Sequence, residues 1–229
     1  KRQEPGVAKS SLLKMIAEEN GDEWREIGDH YPDDKFVYVY VECPVKDVPD
    51  MWMGIPVADT GRIVTAISEL FQMDDPRPKY IMLDEELKAP KMMQIIFSRI
   101  KLERVVGDRK LPKGTTVFST SNNPTDGVGD SMQAHAINRA TILYMLKPST
   151  KQWVRDFALK NNIHDSLCSW ALFNPRAGES YMTLSREKLD ANDMIFSPYR
   201  PTQPFLSYRS LAHCDPIVRN RHIVGDNLT

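Results

Sequence analysis

Lys9, Ser10 and Ser11 are the first side chains in the sequence that could do chemistry. They close the segment QEPGVAKSS, which ends like the phosphate-binding pattern G-x-x-x-x-G-K-[ST], although Gln3 and Ala8 replace both of its glycines. In such a loop, backbone N–H groups and the positive end of the following helix hold the phosphates, so side-chain identity matters less than the backbone path. The candidate nucleotide-binding residues are therefore Pro5, Gly6, Val7, Ala8, Lys9, Ser10 and Ser11.

Lys9 and Ser10 would have different roles in a nucleotide site. The lysine would contact the β- and γ-phosphates, and the serine hydroxyl would ligate Mg²⁺. Taken alone, this match is weak, and a simple turn before a helix explains it slightly better.

A pair of carboxylates, Asp84-Glu85, changes that balance because it directly follows the apolar run YIML. An aspartate at the end of such a strand can hold the Mg²⁺ of a bound nucleotide, and a neighbouring glutamate can polarise the attacking water. The alternative, a solvated acidic turn, is plausible for Glu86 but poor for carboxylates that directly follow a buried strand. We therefore favour a functional interpretation of Asp84 and Glu85.

The sequence Asn122-Asn123-Pro124 follows another strand-like segment. The amide of Asn123 at the tip of that strand could orient water against the γ-phosphate. Asn-Pro also favours a turn, and both interpretations can hold together.

The elements that would position these residues alternate between strands and helices. A helix is predicted from Ser10 to Glu19 with its end at Asn20-Gly21, and Pro90 opens another from Lys91 to about Glu103. The second helix should bury one face made of Met92, Ile95, Ile96 and Ile100. Strands are predicted at 35–42, 79–86, 115–121 and 141–146, the last three buried, and hairpins at 54–67 and 105–111.

From residue 149 the pattern becomes helical, with Trp153, Val154, Phe157 and Ala158 at helical spacing. The fold class is therefore α/β: a three-layer αβα nucleotide-binding domain with a parallel sheet (1–148), followed by a small helical lid domain (149–229). Since a phosphate loop normally follows a strand, we expect that strand to lie before Lys1. In open parallel sheets, ligands bind beyond the carboxyl ends of the strands.

Composition narrows the class of protein. The 229 residues include 30 Lys and Arg against 31 Asp and Glu, so no general field attracts nucleic acid or a lipid surface. No apolar run approaches the roughly 20 residues of a membrane span, and no secretory leader is seen. The odd number of distant cysteines argues against a disulfide framework and favours a cytoplasmic location; they are Cys43, Cys168 and Cys214.

The order of these motifs resembles AAA+ ATPases and, among them, the MoxR group. The similarity extends from Gln3 to about Leu211. The segment VPDMWMGIPV resembles an insert region of that family, and LDEELKAPKMMQIIFSRIKLERVVGDRKLPKGTTVFSTSNNP follows its run from Walker B to sensor 1. AINRATILYM matches its Asn/Asp-Arg before a strand, and FLSYRSL resembles its sensor 2 segment.

The resemblance implies a role for each matched residue. Lys9 and Ser10 would be Walker A, Asp84 and Glu85 Walker B, Asn123 sensor 1, Arg139 the arginine finger and Arg209 sensor 2. It further implies ATP and Mg²⁺ as cofactors, a homo-oligomeric, hexameric ring, and remodelling of a protein client, often a von Willebrand factor A-type partner.

Three residues depart from the family pattern: Gln3 and Ala8 in the loop, and Tyr208 where the lid motif usually has proline. A module that binds nucleotide without hydrolysing it is therefore the first alternative. A nucleic-acid motor is a weaker one, because the charge is nearly balanced and no basic stripe is present.

Overall fold

The structure of the protein is a computed structural model, which describes residues 2–3, 11–23, 34–122 and 141–224. The described residues form two compact units, one made of 11–23, 34–121 and 141–142, the other of 2–3, 122 and 143–224. We call them the first and the second unit. The domain boundary predicted after residue 148 stays a prediction.

The strands of the described residues are β1 (Arg2–Gln3), β2 (Val37–Glu42), β3 (Trp52–Val57), β4 (Arg62–Ile67), β5 (Lys79–Asp84), β6 (Val105–Val106), β7 (Arg109–Lys110), β8 (Thr116–Ser119), β9 (Ser121–Asn122) and β10 (Tyr144–Met145). The α-helices are α1 (Leu12–Asn20), α2 (Lys91–Glu103), α3 (Thr150–Trp153), α4 (Asp165–Phe173), α5 (Arg186–Asp190), α6 (Tyr208–His213), α7 (Asp215–Arg219) and α8 (Arg221–Val224).

The first unit is built on a parallel sheet in the order β2-β5-β8. The central strand β5 pairs with β2 from Lys79 to Asp84 and with β8 from Tyr80 to Leu83. Apart from Tyr80, the side chains of β5 are buried, as expected of a strand covered on both faces. The predicted parallel strands at 35–42, 79–86 and 115–121 are confirmed. The burial predicted for the last of them is wrong, because Thr116 is exposed and Val117, Phe118 and Ser119 are only half-buried.

Helices cover both faces of this sheet. The buried residues Val37, Val39 and Val41 of β2 share a core cluster with α2. Tyr38 points to the other face, where its hydroxyl accepts a hydrogen bond from Asn20 at the end of α1. Because successive side chains of a strand alternate between its faces, α1 and α2 lie on opposite sides. The predicted α/β fold class with a parallel sheet and flanking helices is confirmed.

The boundaries of α2 agree with the prediction, and Ile96 and Ile100 of the predicted face are buried, but Met92 and Ile95 are not. Met92 and Ile95 are 62% and 66% exposed, whereas the fully or nearly fully buried side chains are Met93, Ile96, Phe97 and Ile100. Apolar residues occupy so wide an arc of this helix that two overlapping sets both follow the helical spacing. Only the packing against the sheet selects one of them.

Both predicted hairpins are present in the first unit. β3 and β4 pair antiparallel, from Trp52 opposite Ile67 to Val57 opposite Arg62, and β6 pairs with β7 in the same way. Gly61 and Gly107 adopt positive φ angles of 64° and 60° in the two turns, a backbone region that glycine enters without steric cost.

The second unit contains a short sheet in the order β10-β1-β9, and the division between the units falls within β9. Arg2 and Gln3 pair in parallel with Tyr144 and Met145. The expectation that the strand before the loop lies outside the chain is therefore wrong, because β1 precedes the predicted loop. A strand of two residues is too short to give a sequence signal.

The apolar segment 141–146 was expected to be a buried strand, but only Tyr144 and Met145 pair. Leu143, Tyr144 and Leu146 are about half exposed. An apolar composition predicts burial only where neighbours cover both faces, and β10 is an edge of the described sheet.

The other regular elements of the second unit are helices, as predicted, and residues 191–207 form none. α3 continues into a π-helix over Val154–Ala158. Trp153, Val154 and Ala158 are buried, but Phe157 is 40% exposed because the wider π turn moves it off the shared face. No helix of the described residues is both long and apolar enough to cross a bilayer.

Candidate functional site

Asp84 ends the central strand β5 and is only 4% exposed. The Tyr40 hydroxyl donates to its Oδ2 at 2.7 Å, and the Thr120 hydroxyl donates to its Oδ1. An ionised carboxylate can only accept hydrogen bonds or bind a cation, so each of these hydroxyls acts as a donor that orients one of its oxygens. Asp84 is thus a buried acidic group with a fixed orientation.

Glu85 lies in the left-handed region, with φ 53° and ψ 37°. For a residue with a Cβ this conformation costs about 1–2 kcal/mol, and it persists only where surrounding contacts impose it. Thr120 supplies such contacts, because its carbonyl accepts from the Glu86 N–H at 3.1 Å and its N–H donates to the Leu83 carbonyl at 3.0 Å. The turn after β5 is thereby fixed to the residue that follows β8.

The Glu85 carboxylate forms an ion pair with Lys88, whose Nζ lies 2.7 Å from Oε2. Both side chains are about one third exposed. The carboxylate thus reaches solvent and also has a cation within hydrogen-bonding distance.

Glu86, which the sequence allowed as the solvated member of the acidic turn, is the opposite: it is 5% exposed. Lys101 from the last turn of α2 donates to both of its carboxylate oxygens, at 2.7 Å and 2.6 Å. Next to this pair, burial raises the pKa of the Cys43 thiol, and the charges of Glu86 and Asp84 raise it further. The turn is therefore fixed by a buried ion pair in addition to its backbone hydrogen bonds.

The described residues hold no cluster of three or more His, Cys, Asp or Glu side chains suited to a metal ion. Mg²⁺ is usually bound by one or two carboxylates together with phosphate oxygens and water, and rarely by a complete protein cage. Asp84 fits the role of such a single carboxylate ligand, because it is a carboxylate whose two oxygens are oriented by Tyr40 and Thr120.

Most of the predicted loop lies outside the described residues, namely Pro5, Gly6, Val7, Ala8, Lys9 and Ser10. Asn123 and Arg139 lie outside them as well. Ser11 is described: it is exposed and directly precedes α1, without a side-chain capping hydrogen bond to that helix. The structure therefore brings together Asp84 and Glu85 of the predicted site residues.

Arg209 belongs to the second unit, where it is exposed on α6. Its neighbour Tyr208 is buried, stacks on Trp153 with ring centroids 5.0 Å apart, and donates to the Pro148 carbonyl at 2.7 Å. The departure from proline at position 208 thus has a packing explanation: the tyrosine is part of the core of the second unit.

Sequence reasoning missed the partners of the acidic turn, namely Tyr40, Thr120, Lys88 and Lys101. The first two had a weak signal, since both lie at or near the carboxyl ends of strands that neighbour β5. Lys88 and Lys101 had no sequence signal beyond their charge.

No protein-family model and no curated protein matches the chain. Among solved structures it is similar to a crystal structure from Cytophaga hutchinsonii, named "putative ATPase", with 15% identity and a TM-score of 0.38. The similarity covers 94% of this chain and 51% of that one, so this chain spans about half the length of that protein. The α/β fold follows from the parallel sheet and its flanking helices.

Proposed function

We propose that this chain binds Mg-ATP and hydrolyses it, as a AAA+ ATPase of the MoxR group that acts in a ring on a protein client. The observation that carries the proposal is the end of β5: a buried, oriented aspartate followed by a glutamate in a strained backbone conformation. Strained residues cluster at active sites, and acidic residues at the carboxyl edge of a parallel sheet lie where such folds bind ligands.

The direction of α1 supports a phosphate loop before it. The helix ends near the start of β2, where Asn20 donates to the Tyr38 hydroxyl and Asp22 accepts from it. Nine residues of helix extend about 14 Å, close to the roughly 13 Å between Tyr38 and the end of β2. Since Leu13 and Ala17 are fully buried, we infer that α1 packs along the sheet with its N-terminus towards the edge that carries Asp84.

A helix N-terminus at that edge suits an anion, because its free N–H groups and its dipole favour negative charge. In the proposed site, Lys9 contacts the phosphates, and Ser10 and Asp84 hold Mg²⁺. When bound, the ion neutralises charge on the transferred phosphoryl group. Glu85 orients the attacking water and accepts its proton as the bond to the leaving ADP breaks.

The remaining roles come from the resemblance to the family. Asn123 would help to orient the water, Arg139 would reach the nucleotide of a neighbouring subunit, and Arg209 would contact the phosphates from the lid. Arginine supplied by a neighbour requires head-to-tail contacts, which close into a ring when the rotation between subunits allows it. A hexameric ring and a von Willebrand factor A-type client are proposed on the same ground.

One observation favours a second candidate, a module that binds nucleotide without turnover. The Glu85 carboxylate is engaged by Lys88 at 2.7 Å, which opposes its use as a base unless the pair opens. The two candidates share the binding site and differ in phosphate release alone.

The test of the proposal combines calorimetry of Mg-ATP binding with steady-state phosphate release at several protein concentrations. Lys9→Ala should weaken binding by at least about tenfold, because a charge-assisted contact to phosphate is lost. Glu85→Gln should keep binding and lower turnover by about 10²- to 10⁴-fold, the usual contribution of a general base. Asp74→Asn, at a side chain that is 96% exposed, is the matched control and should change neither quantity.

Equal ATP affinity of the wild type and Lys9→Ala would exclude the proposed site. Binding without phosphate release under every assembly condition would favour the non-hydrolysing module. A rate per subunit that rises with protein concentration would support the role of Arg139 across a subunit boundary.

A further inference from the structure

Two tyrosines of β2, Tyr38 and Tyr40, make the same contact with different carboxylates. They lie two residues apart, so their side chains share one face of the sheet. Tyr38 donates its hydroxyl to Asp22 Oδ2 at 2.7 Å, and Tyr40 donates its hydroxyl to Asp84 Oδ2 at 2.7 Å. The first carboxylate lies in the segment after α1, and the second is the proposed metal ligand.

We infer that Tyr40 is a positioning residue, whose hydroxyl sets the plane of the Asp84 carboxylate towards the Mg²⁺ of the nucleotide. This inference rests on the proposed function. The terminal torsion of an aspartate is broad and roughly two-fold, so a carboxylate without fixed partners samples several planes. Here one hydroxyl from each side, Tyr40 on Oδ2 and Thr120 on Oδ1, reduces that freedom.

The position of Tyr40 on β2 shows why a tyrosine is needed. In the register of the two strands, Tyr40 lies opposite Met82, and Asp84 is two residues further along β5. A side chain must therefore lean along the sheet to reach Asp84, and the phenol ring supplies the length. Phenylalanine would keep the ring and its packing, but it would remove the donor to Oδ2.

Partners that orient metal ligands usually have a measurable effect on the metal. Their removal typically weakens metal binding by about 10- to 100-fold. We expect Tyr40→Phe to weaken the binding of the metal ion by about tenfold, since Thr120 still holds the other oxygen. Tyr38→Phe removes an equally short hydrogen bond to a carboxylate from the same strand and face, and also the acceptor for Asn20. It should leave metal binding within about twofold because Asp22 is not a ligand.

The experiment measures Mn²⁺, as a spectroscopic substitute for Mg²⁺, bound to the complex of the full chain with ADP. Free Mn²⁺ is quantified by electron paramagnetic resonance during a titration of the wild type, Tyr40→Phe, Tyr38→Phe and Asp84→Asn. Thermal unfolding of each variant without metal reports the structural effect of each lost hydroxyl. The expected result is a Mn²⁺ dissociation constant raised only in Tyr40→Phe and Asp84→Asn, although Tyr38→Phe loses stability as well.

Two results would overturn the inference. Only the second of them would also refute the proposed metal site. If Asp84→Asn weakens Mn²⁺ binding and Tyr40→Phe behaves like Tyr38→Phe, the positioning role is wrong and the proposed function stands. If Asp84→Asn binds Mn²⁺ as the wild type does, Asp84 is not a ligand, and both the inference and the proposed metal site fail.

Discussion

Replacing Lys101 with methionine should destabilise the first unit far more than the same change at Arg99. Lys101 pairs with Glu86, and their side chains are 18% and 7% exposed. Removing one partner of a buried pair leaves an uncompensated charge and costs about 3–5 kcal/mol. Because Lys101 keeps some access to solvent, we expect the lower end, about 3 kcal/mol.

Arg99 lies on the same helix and pairs with Glu103, but these side chains are 46% and 60% exposed. Exposed pairs of this spacing contribute about 0.3–0.5 kcal/mol, so Arg99→Met should cost no more than that. The two variants remove one cation each from α2 and keep a long apolar stem. The difference between their losses of stability therefore measures the effect of burying the ion pair.

The assay follows the thiol of Cys43, which is fully buried in the same core cluster and close to Glu86. Protein is equilibrated in urea and labelled with a short pulse of a thiol reagent, and Cys43 is quantified by mass spectrometry. With a urea slope of about 2 kcal/mol per M, a loss of 3 kcal/mol lowers the midpoint by about 1.5 M. Cys168 and Cys214 of the second unit are read in the same sample, so the unfolding of that unit is recorded separately.

Equal midpoints of Lys101→Met and Arg99→Met would refute the reasoning, because burial of the pair would then have no consequence. A double variant, Lys101→Met with Glu86→Leu, provides a further check. Replacing both members of a buried pair by apolar residues is often neutral or stabilising. The double variant should therefore regain most of the stability that the single variant loses.

Two further predictions concern Lys88 and Asp75. Lys88→Gln removes the cation that pairs with Glu85, so in a chain that hydrolyses ATP it should raise phosphate release severalfold at unchanged ATP affinity. An unchanged or lower rate of phosphate release would contradict this prediction. Hydrogen bonds from Arg77 lower the pKa of Asp75, so its stabilising effect is complete above the unfolded aspartate pKa of about 4 and is lost as pH falls further. The difference in urea midpoint between the wild type and Asp75→Asn should therefore shrink from pH 7 to pH 3, and a constant difference would contradict this.

The sequence predicted those elements whose signals are local. The run YIML before Asp84 indicated a strand buried on both faces, and β5 is the central strand. Pro90 marked the start of α2, because proline fits the first turn of a helix. Asn20-Gly21 marked the end of α1, where Gly21 adopts the left-handed conformation that closes helices.

The features that periodicity could not decide depend on tertiary packing. α2 carries apolar residues over a wide arc, so the choice of Met93 over Met92 as a core residue follows from its contact with the sheet. The π turn after Trp153 shifted Phe157 away from its expected face for a related reason. A helical pattern assumes a constant pitch, and a single wider turn breaks it.

The acidic turn was predicted from its position in the chain, but the side chains that form hydrogen bonds and ion pairs with it were not. Asp84 receives hydroxyls from residues 44 and 36 positions away, and Glu86 receives an ammonium from 15 positions away. Contacts between residues so far apart in the chain produce no recognisable sequence pattern. Only the register of β2 with β5 and the path after β8 bring them to one place.

These contacts of Asp84 and Glu86 also explain how Glu85, which lies between them, can remain in a backbone conformation that costs about 1–2 kcal/mol. The residue before it is held by two hydroxyls, and the residue after it by Lys101 and by the Thr120 carbonyl. With both neighbours fixed, the backbone at Glu85 cannot relax unless a buried carboxylate loses its partners, which is more costly than the strain. The carboxylate of Glu85 itself is left partly exposed and is paired with Lys88, which is also partly exposed. The turn thus combines a fixed backbone with an accessible carboxylate, the arrangement that a residue acting on a bound water requires.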